Sequence, residues 1–293
     1  MGWCQLRINI DNRQADALSE SLMEAGAIAV TFTDATDHPL YEPKPGTTPL
    51  WPSTAVTALF NSQHEAQRVF VGLGDQFGLL ALGAPAFKQL EDRVWEHAWR
   101  ERYQPVDCGD GLWVGPDDFV ADAPDACVVR IEPGLAFGTG GHATTALCLR
   151  WIASHVMSGV RIVDFGCGSG ILGIAALLRG AQSVIAVDHE AQARTATLEN
   201  AQRNGVHKKI TTCATMAEMV EPVDGILANV LLNPLLELRD EFAARLRVGG
   251  WIVLSGVLAD QTELLADAYG ERFDQLQIST EGDWARLSAC LKS

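Results

Sequence analysis

Residues Val160-Arg161-Ile162-Val163-Asp164-Phe165-Gly166-Cys167-Gly168-Ser169-Gly170-Ile171-Leu172 decide the fold. Ile162-Val163 read as a buried strand that ends in an acid and then in three glycines at every second position. Ile171, Leu172, Ile174, Ala175 and Leu178 follow at once with helical spacing. Strand, glycine turn and helix make the first half of a βαβ unit. Glycines there let the backbone turn tightly and approach a ligand, and the amides that open the helix point at it.

Two cofactor frames fit this turn. From Gly168, the run Gly168-Ser169-Gly170-Ile171-Leu172-Gly173 matches the dinucleotide fingerprint G-x-G-x-x-G. From Asp164, the run is D-x-G-x-G-x-G, which resembles motif I of class I S-adenosylmethionine (SAM) methyltransferases. Asp164 favours the second frame. Its carboxylate would repel a pyrophosphate and would attract the ammonium at the methionine end of SAM.

Downstream, Val184-Ile185-Ala186-Val187-Asp188 is a second buried strand ending in an acid, eighteen residues after Gly170. In βαβ nucleotide sites an acid at this point accepts both ribose hydroxyls; a capping or surface Asp is the plain alternative. A helix is expected over 190–204, a short strand over 209–213 and another over 223–229. That last strand puts Asn229 at its carboxyl end beside the switch point, where open α/β sheets bind ligands. An Asn amide can accept from an amine while donating to a neighbour; a turn-forming Asn is the alternative. Trp251-Ile252-Val253-Leu254, after a Gly249-Gly250 turn, reads as a fifth strand. A helix near 260–269 and strands near 274–279 and 284–290 complete seven strands with intervening helices.

Upstream of the turn lies a loop built from small and helix-breaking residues, Glu132-Pro133-Gly134-Leu135-Ala136-Phe137-Gly138-Thr139-Gly140-Gly141-His142-Ala143-Thr144-Thr145. It directly precedes the cofactor strand and so could cover a bound cofactor. Thr144 or Thr145 can cap the helix that follows. His142 reads as a hydrogen-bonded loop anchor ahead of a catalytic group. Farther upstream, Trp95, Trp99 and Tyr103 recur every four residues on a charged helix over 91–104. That helix is expected to link two domains.

The first ninety residues alternate strand and helix patterns in the order βαβ-βαβ, the ferredoxin-like pattern. Strands are expected over 5–10, 28–32, 54–60 and 84–90. Asp11 or Asn12 opens one helix, and Ser62-Gln63-His64-Glu65 is a capping box for the other. Five prolines between 34 and 53 mark a long irregular loop. This region carries no reactive constellation.

With 293 residues, two domains are the natural expectation, and 47% apolar against 20% charged residues suits a globular protein with a sizeable core. A net charge of −15 argues against an unaided grip on nucleic acid and is compatible with a basic partner. Seven scattered cysteines lack C-x-x-C spacing, so reduced thiols are expected and a metal site is not. The chain shows neither a signal-peptide core nor an apolar run of membrane-spanning length.

Pro133 to Gly140, His142, Thr144-Thr145, Asp164 to Leu172, and Ala228-Asn229 with Pro234-Leu235 together resemble the methyltransferases of large-subunit ribosomal protein L11. The resemblance covers essentially the whole chain. The glycine turn is common to many methyltransferases, whereas the Pro-Gly-Leu-Ala-Phe-Gly-Thr-Gly loop is specific. It implies a bacterial cytoplasmic enzyme that methylates amino groups of L11, lysine side chains or the N-terminal α-amine, with SAM. The substrate would be taken free or on the ribosome, with no role for DNA or membrane.

The resemblance further implies a class I SAM-methyltransferase domain, Rossmann-like and seven-stranded, over 105–293. A ferredoxin-like α+β domain over 1–90 would recognise the substrate. The resemblance carries cofactor binding onto Thr145, Gly166, Asp188 and Asn229; from the residues themselves, Asp164 and Gly168 of the turn and Phe137 and Thr139 of the loop are added as cofactor positions, and Asn229 is expected also to position the amine. Glu132, Gly141 and Leu232-Asn233 depart from the family pattern, where Asp, Thr and Ala-Gly are expected; the last pair alters the wall beside the acceptor. Two other readings stay open on the residues: a nicotinamide-dependent oxidoreductase, and a non-catalytic ribosome-assembly factor that keeps the fold.

Overall fold

The computed structural model describes residues 3–36, 49–78, 82–90, 104–123, 125–131, 140–155 and 158–293. It divides into two compact units, Met1–Glu101 and Arg102–Ser293.

In the first unit the elements run β1 (Trp3–Asp11), α1 (Asn12–Glu24), β2 (Ala29–Asp34), β3 (Ser53–Phe60), α2 (Gln63–Phe77) and β4 (Ala86–Leu90). Strict alternation puts Cys4, Leu6, Ile8 and Ile10 of β1 on one buried face. Leu18 and Leu22 of α1, and Ala66 and Leu73 of α2, close over that face. Each fully buried Leu or Ile side chain among them contributes about 1.5–3 kcal/mol. Asp11 caps α1 by accepting from Arg13 N–H, and Ser62 caps α2 by accepting from Glu65 N–H. The sheet is antiparallel throughout, in the order β2-β3-β1-β4. β2 is an edge strand, so it is shallower than its apolar alternation suggests, and Ile28 just before it is exposed. The linker helix expected over 91–104, with Trp95, Trp99 and Tyr103, falls outside the described residues except at Gln104.

The second unit opens with a small sheet, β5 (Val106–Asp107), β6 (Leu112–Gly115) and β7 (Cys127–Arg130). Then come α3 (Ala143–Ser154), β8 (Arg161–Phe165), α4 (Ile171–Leu178), β9 (Ser183–Val187), α5 (Ala191–Arg203) and β10 (Ile210–Cys213). They are followed by β11 (Val223–Asn229), α6 (Leu232–Arg245), β12 (Leu246–Leu258), α7 (Thr262–Gly270), β13 (Phe273–Glu281) and β14 (Trp284–Leu291). These strands form one sheet of seven in the order β10-β9-β8-β11-β12-β14-β13, parallel from β10 to β12 and antiparallel beyond. The chain leaves β8 for β9 and returns to β11 on its other side, so the switch point lies at the carboxyl ends of β8 and β11.

Both faces of the sheet are covered. On β8, Ile162 enters a core with Leu149, Ile152 and Ile174, while its neighbour Val163 enters the opposite core with Ile226, Phe242 and Tyr269. A strand buried on both sides therefore reads as an unbroken apolar run.

Two expectations need correction. The residue that caps α3 is His142 and not a threonine; Thr144 and Thr145 lie buried in the first turn. The fifth strand does not start at Trp251 after a glycine turn, because β12 runs through Gly249 and Gly250 from Leu246. Gly250 is required there: a Cβ would lie 2.8 Å from Arg247 O and 3.0 Å from Asp224 O.

Candidate cofactor and active site

The glycine turn between β8 and α4 is held in one shape from three sides. Gly166, Gly168 and Gly170 all have φ in the left-handed region, at 65°, 53° and 78°. Gly166 and Cys167 N–H donate to Val187 O at 2.8 and 3.1 Å, which stitches the turn to β9. From α5, the Thr197 hydroxyl donates to Gly168 O at 3.1 Å and Asn200 Nδ2 donates to Ser169 O at 2.9 Å. Both side chains are buried. The sequence reading missed this pair, whose signal is two polar residues three apart on the inner face of α5.

A cleft of about 590 Å³ opens over the turn. Its floor is Phe165, Gly166 and Gly168, and one wall is Val187 and Asp188. Val230, Pro234 and Leu238 form the facing wall, with Pro234 and Leu238 four apart on α6. Val230 is seated between two glycines. A Cβ on Gly166 would come within 2.5 Å of Val230 Cγ1, and one on Gly256 (φ 87°) within 2.3 Å of Val230 O.

Asp188 stands just past the end of β9 with its side chain 11% exposed. One carboxylate oxygen accepts from Gly168 N–H at 3.1 Å and the other from Glu190 N–H at 3.0 Å. Both oxygens are thereby aimed, and each keeps a lone pair for a hydroxyl of a ligand.

Asp164 is placed differently from the expectation. It is absent from the cleft wall. It is 1% exposed, beneath the turn, and its Oδ2 accepts from Gly173 N–H at 2.8 Å. Burial pushes its carboxyl up to about 7, against the lowering effect of that hydrogen bond, with the Asp188 charge raising it further. Cys167, in the turn, is pushed up to about 12 chiefly by burial, so it is a small neutral filler and not a nucleophile.

Asn229 closes β11 beside Val230 of the cleft wall, is not itself among the lining residues, and its Nδ2 donates to Thr145 Oγ1 at 3.1 Å. That leaves the side-chain carbonyl of Asn229 as an acceptor. At the cap of α3, His142 Nδ1 lies 2.8 Å from Thr144 Oγ1 and 3.4 Å from Thr144 N. The ring meets Trp284 edge-on at 4.8 Å. Phe137 and Thr139 fall outside the described residues.

The structure thus brings Gly166, Gly168 and Asp188 to one cleft and pairs Thr145 with Asn229. The left-handed turn, the aimed carboxylate and the cleft volume suit a nucleoside-bearing cofactor.

The family model described as ribosomal protein L11 methyltransferase (PrmA) matches residues 2–292. The chain belongs to the ribosomal protein L11 methyltransferase family. A family relative from Methylococcus capsulatus is 44% identical over 288 residues, covering 98% of both chains. Another, from Pseudomonas putida, is 41% identical over 289 residues, covering 98% of this chain and 99% of its own. The crystal structure of a ribosomal protein L11 methylase from Lactobacillus delbrueckii subsp. bulgaricus aligns with a TM-score of 0.61 at 32% identity. It covers 65% of this chain and all of its own. Membership of this family, and not the position of Asp164, separates the SAM frame from the dinucleotide frame.

Proposed function

We infer that this protein is a SAM-dependent methyltransferase that transfers methyl groups to amino groups of ribosomal protein L11. Family membership sets the reaction and the substrate. The observation that supports the cofactor's place is the Asp188 carboxylate, aimed into the cleft by Gly168 and Glu190 N–H. We assign the ribose hydroxyls to Asp188 and the methionine portion to the turn at Gly166 and Gly168. Val230, Pro234 and Leu238 supply the apolar cover.

Bound SAM supplies a methyl group on a sulfonium, already activated for in-line displacement. The protein's work is to present a neutral amine in line with it. A lysine with a pKa near 10.4 costs about 4.6 kcal/mol to deprotonate at pH 7, and an α-amine near 7.8 about 1 kcal/mol. Desolvation in the site lowers that cost. We assign to Asn229 the role of offering its carbonyl oxygen to an N–H of the amine without adding a negative charge; the hydrogen bond from its Nδ2 to Thr145 supports this by leaving the oxygen as an acceptor. The proton leaves to water.

In the first unit, the antiparallel order β2-β3-β1-β4 with two helices supports reading it as a ferredoxin-like domain. We assign it substrate recognition, on L11 free or in the ribosome. The net charge of −15 suits a basic ribosomal protein as partner, and the scattered free cysteines suit a reducing, cytoplasmic setting. Among the described residues no helix is long and apolar enough to cross a membrane.

The test is incubation of the purified protein with radiolabelled SAM and L11, alongside calorimetric titration with SAM and with NAD. Label on L11 amines and heat from SAM alone are expected. NAD binding without SAM binding overturns the reading, and SAM binding with no transfer to L11 leaves a non-catalytic assembly factor.

A further inference from the structure

The buried acid under the turn has a use that a contact role does not cover. Asp164 sits in β8 between Leu227 of β11 and Ala186 of β9, with α4 above it. Among the described residues it forms no ion pair, and its one donor is Gly173 N–H at 2.8 Å. Gly173 itself is tight against it: a Cβ there would lie 3.0 Å from Asp164 Oδ2 and 2.9 Å from Val184 Cγ1. A carboxylate this deep with one donor is poorly satisfied, so the free protein holds it protonated to higher pH than an exposed Asp. The titratable groups that face it are few. Cys148 of α3 and Cys167 of the turn are pushed up to about 12 by burial, so both stay neutral. Asp188 adds a negative charge beyond the turn. α4 carries no ionisable residue. His189 and Glu190 stand on the rim of the cleft, and His142 caps α3.

We propose that Asp164 is a positioning residue that gives up its proton when the cationic cofactor enters, so that the turn and the start of α4 are then held by a charged Asp164–Gly173 hydrogen bond. This rests on the reading of the cleft as the SAM site. The proton passes from the Asp164 carboxyl to solvent and no bond of the cofactor changes. SAM carries a sulfonium and an ammonium against one carboxylate, a net charge of +1. S-adenosylhomocysteine lacks the sulfonium and is neutral overall. The product therefore lets the proton return, which ties the site's grip to the charge that the methyl transfer removes.

The sign follows from the two states. With the acid near 7 in the free protein and lower in the SAM complex, SAM affinity rises with pH up to about 7 and then levels. Each unit of lowering is worth about tenfold in affinity. S-adenosylhomocysteine should show a much flatter profile.

The experiment is calorimetry of the full chain near pH 6.5 in two buffers of different ionisation enthalpy. Release of about half a proton or more is expected with SAM, for a lowering of about one unit, and markedly less with S-adenosylhomocysteine. Asp164→Asn keeps an acceptor for Gly173 and should bind SAM while abolishing the difference between the two ligands. A difference that survives in Asp164→Asn assigns the proton to His189 or His142 and overturns the proposal, as does equal release for both ligands in the wild type. Should that variant fail to fold, the infrared difference spectrum of the wild type decides. Loss of a protonated-carboxyl stretch on SAM binding supports the proposal, and an unchanged carboxyl region refutes it. Absence of any SAM binding to the wild type would instead bring down the cofactor assignment itself.

Discussion

Asn229 Nδ2 donates to Thr145 Oγ1 across 3.1 Å, joining the end of β11 to the first turn of α3, 84 residues away in the chain. The bond orients an uncharged acceptor at the switch point of the sheet. It also makes the amide's two ends inequivalent, since the nitrogen is committed to Thr145 and the oxygen is not.

Replacement of Asn229 should separate alignment from protonation. Asn229→Asp puts a negative charge beside the amine, raises its pKa and holds it as unreactive ammonium. Turnover should fall strongly at pH 7 and recover in part as pH rises. Asn229→Ala should lose rate without that recovery. A pH–rate series for both variants, with SAM affinity measured separately, is the check; wild-type rates in both would reduce Asn229 to a turn residue.

Asp188→Ala should weaken SAM binding at least tenfold. Hydrogen bonds to a charged group contribute about 1.5–3 kcal/mol each, and this carboxylate also holds Gly168 N–H. Titration of the folded variant decides, and an unchanged dissociation constant would make Asp188 a bracket for the turn alone.

Gly166→Ala forces a side chain onto φ 65° and within 2.5 Å of Val230 Cγ1. A loss of about 2–4 kcal/mol in stability is expected from the two effects together. Adding Val230→Ala removes the clash but not the backbone strain, so denaturant unfolding should show partial rescue. Rescue that is absent or complete would mean that one of the two effects is missing.

Asp164 makes the free protein less stable as pH rises. Its folded value of about 7 lies above the ordinary 3.8, so the folded state holds the proton over that window while the unfolded chain has lost it. Stability from this group is greatest below the ordinary value and falls as pH rises to about 7, by on the order of 4 kcal/mol. Unfolding free energies at pH 5 and 7.5 should therefore differ less in Asp164→Asn than in the wild type. Equal slopes would place the titration elsewhere.

Removal of the first unit tests the division of labour. A chain beginning at Arg102, the start of the second unit, should bind SAM with near-native affinity and fail to methylate L11. Full activity on L11 without residues 1–101 would move substrate recognition into the second unit.

Most of the architecture was legible because its elements carry local signals. Period-two alternation marks β1 and β2, and Ser62 marks the start of α2. The site was legible where a residue type is forced by chemistry: glycines at left-handed φ, and Asp188 just past the end of β9. The loop with Phe137 and Thr139 rests on the sequence alone. What the reading lacked were partners far apart in the chain. Thr197 and Asn200 look like ordinary polar helix residues until α5 is laid against the turn. In the short sheet β5-β6-β7, the runs Leu112-Trp113-Val114 and Cys127 to Ile131 read as strands and form β6 and β7, whereas β5, with two residues, is too brief for periodicity to speak.

By itself, then, the sequence determined the turn, the strands that follow it and the family, because backbone conformation and apolar period are local properties of the chain. The tertiary structure alone decided what each acid does. Asp164 and Asp188 both follow apolar strands and look alike in one dimension. In three, one is buried against Gly173 N–H and the other is aimed into the cleft by Gly168 and Glu190 N–H. The difference is desolvation, which depends on what packs around a carboxylate and is not written at its position in the chain.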